Sequence, residues 1–356
     1  MPDVLYTPVL KGRHGELTAL GLIQPATWQH LLPLLEIVPG PEDEAGARQP
    51  VRSEIQRTVR KLQPWAGQRL LLDVGLLASD TALRGGSGAI DIAISEAFDL
   101  GVRATPVLRL DDGPLARRDA AAAHANLRTG VALRLVGDDL DQDTEDIDDA
   151  LTAMLAELGI HPSETDLVLD LGGVRGDVAV RGGERIAADV LRGIHAAEEW
   201  RNVIVASGAF PPNLAEVQPW VIGGFARYDA ALYDRLQQRR RLPRSPVFGD
   251  YAVTNPEYIT GNFRSSPNLR YAVADRWLVL KGTRSDPRGH EQFYDLCDMV
   301  AAHSDFVGAD LGKADARIAS PRANGQGPGN ASTWRTIGTA HHLDYVVRRL
   351  TTLGEP

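Results

Sequence analysis

The chain is expected to fold as an α/β protein, a single (β/α)8 TIM-type barrel, and three observations predict it. Short apolar runs recur through the first 250 residues, each bounded by Gly, Pro or polar residues and followed by a longer stretch of helical spacing. There are eight such runs, the number that closes a barrel, and the glycine-rich phosphate turn of an open doubly wound sheet does not follow the first. Almost every run also carries one polar residue between aliphatics near its end.

The expected strands are 6–11, 34–38, 70–75, 105–110, 131–136, 167–171, 203–207 and 247–252. Helices are expected at 27–32, 52–62, 89–100, 116–127, 143–158, 185–199 and 230–239, each with apolar residues three or four apart. Ile55, Val59 and Leu62 form one such stripe; Ile147, Leu151, Met154, Leu155 and Leu158 form another. An eighth helix at 291–302 follows an insertion at 265–285, read as a hairpin of 269–274 and 277–282 turned at Asp275. Residues 305–331, with Gly325-Gln326-Gly327-Pro328-Gly329, read as a flexible loop. A carboxyl-terminal helix at 332–352, capped by Ser332 or Thr333, completes a single domain over 1–356.

Composition narrows the functional classes. A formal net charge of −9 disfavours direct nucleic-acid binding, which needs Lys and Arg to displace counterions. Arg239, Arg240, Arg241 and Arg244 read as a solvated helix end. The single cysteine, Cys297, excludes an internal disulfide and a thiolate zinc site, and its apolar spacing marks it as a core residue. No run approaches the roughly 18 apolar residues of a membrane span, so a cytoplasmic protein is expected.

The polar residues inside the strands are Lys11, Glu36, Asp73, Arg109, Arg134, Asp170, Ser207 and Asp250. Strand side chains alternate faces, so if the flanking aliphatics face the helices these residues face inward, at the carboxyl-terminal rim where barrels build their sites. Glu36, Asp73 and Asp170 are candidates for acid–base work or for holding a divalent cation. Lys11, Arg109 and Arg134 could clamp a phosphate or carboxylate, with Ser207, Gly208 and Asp250 beside them. The opposing reading is a salt-bridge network that fixes the barrel and binds nothing. In the last helix Trp334 and His341 share a face, as do Arg335 and His342. His341 could donate a proton, while Trp334, Arg335 and His342 contact an anion; the opposing reading is a terminal helix that packs Ile337, Leu343, Val346 and Leu350 on the barrel, with the histidines merely polar.

Tyr6-Thr7-Pro8-Val9-Leu10-Lys11-Gly12-Arg13-His14-Gly15-Glu16, Leu32-Pro33-Leu34-Leu35-Glu36-Ile37 and the closing Trp334-Arg335 with His341-His342 resemble the phage "beta protein" family. The resemblance implies a family of phages and bacterial genomes, often near mobile or defence-related genes, and hence a role in antiviral conflict. It implies no particular reaction, and it marks Lys11, Glu16, Glu36, Trp334, Arg335, His341 and His342. Two functions are therefore expected to compete. One is binding or cleavage of a small phosphate-bearing or nucleotide-like ligand in the charged mouth. The other is non-catalytic recognition of a protein partner through the hairpin around Trp277 and the arginine run.

Overall fold

Eight parallel strands close into a barrel in the computed structural model, which describes residues 3–40, 48–77, 86–257 and 266–356. They are β1 (Tyr6–Lys11), β2 (Leu34–Glu36), β3 (Arg69–Asp73), β4 (Arg103–Leu108), β5 (Val131–Val136), β6 (Thr165–Gly173) and β7 (Asn202–Gly208), then β9 (Val247–Asp250), which pairs with both β7 and β1. Each corresponds to one of the eight apolar runs. Between β7 and β9 lies a short strand that the sequence reading did not anticipate, β8 (Gly223–Ala226). It joins β10 (Asn268–Ala272) and β11 (Arg276–Lys281) in an antiparallel sheet of order β10-β11-β8, so the expected hairpin is two-thirds of a larger element. Residue 265, the first of the expected insertion, lies outside the described residues.

The helices are α1 (His14–Leu20), α2 (Pro25–Trp28), α3 (Val51–Val59), α4 (Ala89–Asp99), α5 (Pro114–Leu127), α6 (Thr144–Leu158), α7 (Asp177–Gly193), α8 (Tyr228–Gln237), α9 (Gln292–Ala301), α10 (Lys313–Ala319) and α11 (Ala331–Leu353). Where apolar spacing is clean the expectation holds: α6 buries Ile147, Leu151, Met154 and Leu158 and ends at Gly159, whose φ of +64° suits a left-handed cap. Where glycine interrupts the spacing it fails. Helix α7 starts at Asp177 rather than 185, because Gly183 is a contact point: a Cβ there would stand 2.8 Å from Leu232 of α8. Helix α1 escaped notice for the same reason, since Gly15 lets the Arg335 side chain of α11 lie against it, 3.3 Å from where a Cβ would be. The expected helix at 27–32 is only the four-residue α2. The expected loop at 305–331 contains α10, and the cap of α11 is Asn330, whose side chain accepts from the N–H groups of Ser332 at 2.9 Å and Thr333 at 3.1 Å.

The strands have two apolar faces. Leu10, Leu35, Leu72, Leu133, Leu169 and Phe248 pack outward on the helices. Val9, Leu34, Leu71, Val107, Val168 and Ile204 form a separate plug inside the barrel. Above the plug, at the carboxyl-terminal ends, stand the charged residues; below it Asp166, fully buried, accepts hydrogen bonds from Arg69, Arg201 and Asn202.

Helix α11 lies across β10 and α1 and so frames the barrel mouth. Its close approach depends on Gly338, where a Cβ would meet the Arg270 carbonyl at 2.8 Å. Gly338→Ala is expected to cost about 1–3 kcal/mol through overpacking, read as a lower urea midpoint at unchanged slope. An unchanged midpoint would show that the helix and sheet can separate freely.

Candidate functional site at the barrel mouth

Five of the residues singled out inside strands converge on one guanidinium or its neighbours. Arg134, on β5, is 2% exposed. Its Nη1 donates to Glu36 at 2.9 Å and to Asp73 at 2.5 Å. Its Nε and Nη2 donate to Asp170 Oδ2 at 3.0 and 2.5 Å. Lys11 Nζ stands 3.6 Å from Glu36, and Arg109, at the rim, stands 3.6 Å from Asp73. Burial acts to weaken the charge on Arg134, but Asp170, Tyr251, Glu36 and Asp73 outweigh it and hold the guanidinium well above its ordinary value. Burial likewise acts to raise Asp73, and Arg134, Arg109 and the Gly75 N–H overcome it to hold the carboxyl below its usual range. Asp73 and Asp170 are fixed in the same way, each taking the N–H two residues on, from Gly75 at 2.7 Å and from Gly172 at 3.0 Å.

Three expectations change at this site. Glu36, Asp73 and Asp170 do share a centre, yet the cation between them is Arg134, so the three oxygens a divalent ion would take are spoken for. Among the described residues no group of three His, Cys, Asp or Glu is arranged for a metal. Asp250 and Ser207 do not face inward. On β9 and the residue after it the inward positions are Val247, Gly249 and Tyr251: Val247 and Tyr251 belong to the interior plug, and a Cβ at Gly249 would touch Ala206 and Ile204. Asp250 points outward, where it receives Tyr6 OH and the Ala252 N–H and meets His342 Nε2 at 2.7 Å. Alternation with Ile204 and Ala206 turns Ser207 outward as well.

The carboxyl-terminal set divides. His341 and His342 are both fully buried beneath α11, away from the mouth. His341 stacks on Tyr271 at 3.8 Å, with Asp315 3.0 Å from Nδ1 and the Ala272 carbonyl 2.8 Å from Nε2. Burial pushes His342 below the ordinary imidazole range against the pull of Asp250. Trp334 stacks on Phe293 and donates to the Pro328 carbonyl at 2.8 Å, fastening the segment before α11. Arg335 alone turns toward the mouth.

What it turns into is a cavity of about 890 Å³ above and beside the ring. Lys11, Arg13, Arg270, Lys281, Arg284 and Arg335 line it, against only Glu16 and Glu257 among the described acidic residues. Pro211, Pro212 and Leu214 supply an apolar side. Gly208 allows the close approach of Pro256, since a Cβ there would strike it at 2.4 Å. Arg270 donates to the Val253 carbonyl and lies 4.3 Å over the Phe210 ring. Burial, reinforced by the charge of Arg335, drives its guanidinium well below its ordinary value. Burial also lowers Arg335, with Glu16 opposing. Glu16 is 2% exposed, its Oε2 lacks a hydrogen-bond partner, and burial raises its carboxyl to about 7 despite Arg335, Lys11 and Arg13.

Sequence reasoning missed Tyr251, whose hydroxyl donates to Asp170 at 2.6 Å, though counting alternate residues from Val247 would have found it. It also missed Arg270 as a wall residue, because nothing local ties a hairpin strand to the barrel mouth. Within the hairpin expected to serve recognition, Trp277 itself is 1% exposed, edge-on to Phe210 at 5.4 Å, while the turn residue Asp275 is exposed. In the arginine run Arg239 is paired with Glu184, and Arg244 donates to the Trp200 carbonyl at 2.5 Å.

Among solved structures, a triosephosphate isomerase from Bartonella henselae is similar at 10% identity and a TM-score of 0.34, over 70% of this chain and 90% of that one. No curated protein matches the chain. No helix among the described residues is long and apolar enough to cross a membrane. The sequence model of the Beta protein family matches residues 6–348, and with nearly the whole chain covered, from the strand bearing Lys11 to the helix bearing Arg335, the protein belongs to the beta protein family.

Proposed function

We propose that the chain binds a small phosphate-bearing ligand, nucleotide-like in size, in the cavity at the barrel mouth. The observation that carries this reading is the charge imbalance among the described residues of the cavity wall: Arg270, Lys281, Arg284 and Arg335 stand there against Glu16 and Glu257, apart from Arg13 and from Lys11, which pairs with Glu36, on a protein whose net charge is −9. Neither Arg270 nor Arg335 forms an ion pair with a described carboxylate. Uncompensated guanidiniums held out of water are costly alone and favourable once an anion arrives. The ring beneath is different in kind. Lys11, Arg109 and Arg134 balance Glu36, Asp73 and Asp170, so the ring serves as a rigid floor. Burial of Trp277 takes that side chain out of the protein-recognition alternative, which is left with the exposed hairpin turn at Asp275 and the exposed Arg240 and Arg241. A place in phage–host conflict rests on the family resemblance, and a phosphorylated metabolite or nucleotide is the ligand class the cavity suits.

Sulfate and ADP are the probes of choice in calorimetric titration. Both are expected to bind saturably, and Arg284→Ala and Arg335→Ala are each expected to weaken binding by about tenfold, as loss of a charge-assisted contact does. Wild-type affinity in both variants, or no binding by the intact chain, would overturn the reading. Arg134→Met is expected instead to lose about 3–5 kcal/mol of stability, because three buried carboxylates lose their shared partner. If it keeps the wild-type unfolding midpoint, the ring is no floor.

Glu16 sets the pH dependence. Its folded value of about 7 lies above the ordinary 4.5, so its contribution to stability is full below about 4.5 and is lost as pH rises through 7. Over the same range the wall gains a negative charge. Sulfate, whose own charge does not change near neutrality, is therefore expected to bind less tightly as pH rises through 7, and Glu16→Gln to flatten that slope. An equal slope in the variant would assign the dependence to another group.

A further inference from the structure

At the opposite, amino-terminal end of the barrel a second cavity, of about 240 Å³, opens between the starts of β3 and β4 and the ends of α4 and α5. Four arginines line it: Arg69, Arg103, Arg128 and Arg201. Arg69 and Arg103 are the first residues of adjacent strands and face each other in register. Like charges so placed oppose strand pairing, so stability is given up there.

One carboxylate answers these charges. Asp166 Oδ2 takes both Arg69 and Arg201, the latter at 2.8 Å, while Oδ1 takes Arg201 Nε at 3.0 Å and Asn202 at 2.7 Å. Both oxygens are occupied, and two guanidiniums share a single negative charge. Arg103 and Arg128 are exposed and add two more cations without a described carboxylate partner. Arg128 holds its position with a φ of +54°, ending α5 in the left-handed conformation that glycine or asparagine usually supplies. Burial lowers Arg69 from its ordinary value, and Arg201 and Arg103 add to that while Asp166 opposes it.

Apart from Thr105 and Thr129, the large side chains of the remaining wall are apolar: Ile94, Phe98, Val102 and Leu127. Phe98 is 59% exposed, a costly place for a phenyl ring unless something covers it. A shallow groove continues past Phe98 and Leu127, and the acidic side chains of α4, Asp91 and Asp99, line that groove rather than the arginine cavity. Charge and apolar surface are thus segregated within one small site.

We propose that this end of the barrel is a second ligand site, specific for a small organic carboxylate with an aromatic or branched aliphatic tail. The carboxylate lies among Arg69, Arg103 and Arg128, and the tail covers Phe98 and Leu127. The cavity has room for about one large side chain, and its residues share nothing with the mouth, so the two sites stand or fall separately.

The test uses 3-phenylpropanoate and its neutral amide, titrated against the full chain and followed by protein-observed NMR or calorimetry. The carboxylate is expected to bind saturably, with affinity falling as salt is added, and the amide to bind on the order of tenfold more weakly. Arg103→Ala with Arg128→Ala, both exposed and without an ion pair among the described residues, is expected to cost the carboxylate a similar factor while leaving the circular dichroism spectrum and sulfate binding at the mouth unchanged. Phe98→Ala is expected to weaken 3-phenylpropanoate several-fold and acetate little. Equal binding of acid and amide, unchanged binding by the double arginine variant, or no saturable binding by the intact chain would each overturn the proposal.

Discussion

The guanidinium of Arg134, shared by Glu36, Asp73 and Asp170, is the interaction on which the mouth depends. A planar cation with five donors in a fixed fork can satisfy carboxylates from three strands and the Tyr251 hydroxyl at once, where a lysine has only three donors. Because β2, β3, β5 and β6 each send one member of the set, the contact ties the two halves of the barrel across its axis. The desolvation of these charges is offset only while all partners are present. The order of the whole upper layer, including the Tyr251 hydroxyl and the Arg109 rim, follows from that one group. Charge balance then separates scaffold from site: the layer is neutral, and the cavity above it is not.

Much of this was legible in the sequence, for reasons tied to particular residues. A lone charge between aliphatics, as in Leu133-Arg134-Leu135, has one physical solution in a barrel strand, and five such segments revealed the ring. Alternation failed where a strand lacked large residues to set the phase. At Val247-Phe248-Gly249-Asp250-Tyr251 the glycine occupies an inward slot, and Asp250 was assigned the wrong face for want of a side chain beside it. Glycine also hid α1 and half of α7, since Gly15 and Gly183 read as breaks when they are contact points. The wall of the cavity was beyond reach, because Arg270 and Arg335 meet only through the packing of α11 on β10, and no local pattern encodes that approach.

An acidic chain can present cationic surfaces when its carboxylates are placed elsewhere. Here both ends of the barrel carry surplus arginine, while many acidic residues sit on the outer helices, as with Asp146, Asp148 and Asp149 on α6. Net charge speaks to solubility and to long-range encounter, and local fields decide what is held. An acidic overall balance that disfavours nucleic acid is therefore compatible with local arginine clusters suited to a small anion.

Lys11 belongs to two structures at once. Its ammonium donates to the carbonyls of Asn255 at 3.2 Å and Pro256 at 2.7 Å, lies 5.0 Å over the Tyr251 ring, and still borders the cavity. A side chain anchored on that many sides has surrendered its rotamer freedom before any guest arrives. For the ligand proposed at the mouth, the entropic toll of capture would thereby be settled during folding, which would favour a rigid guest over adaptation to many shapes.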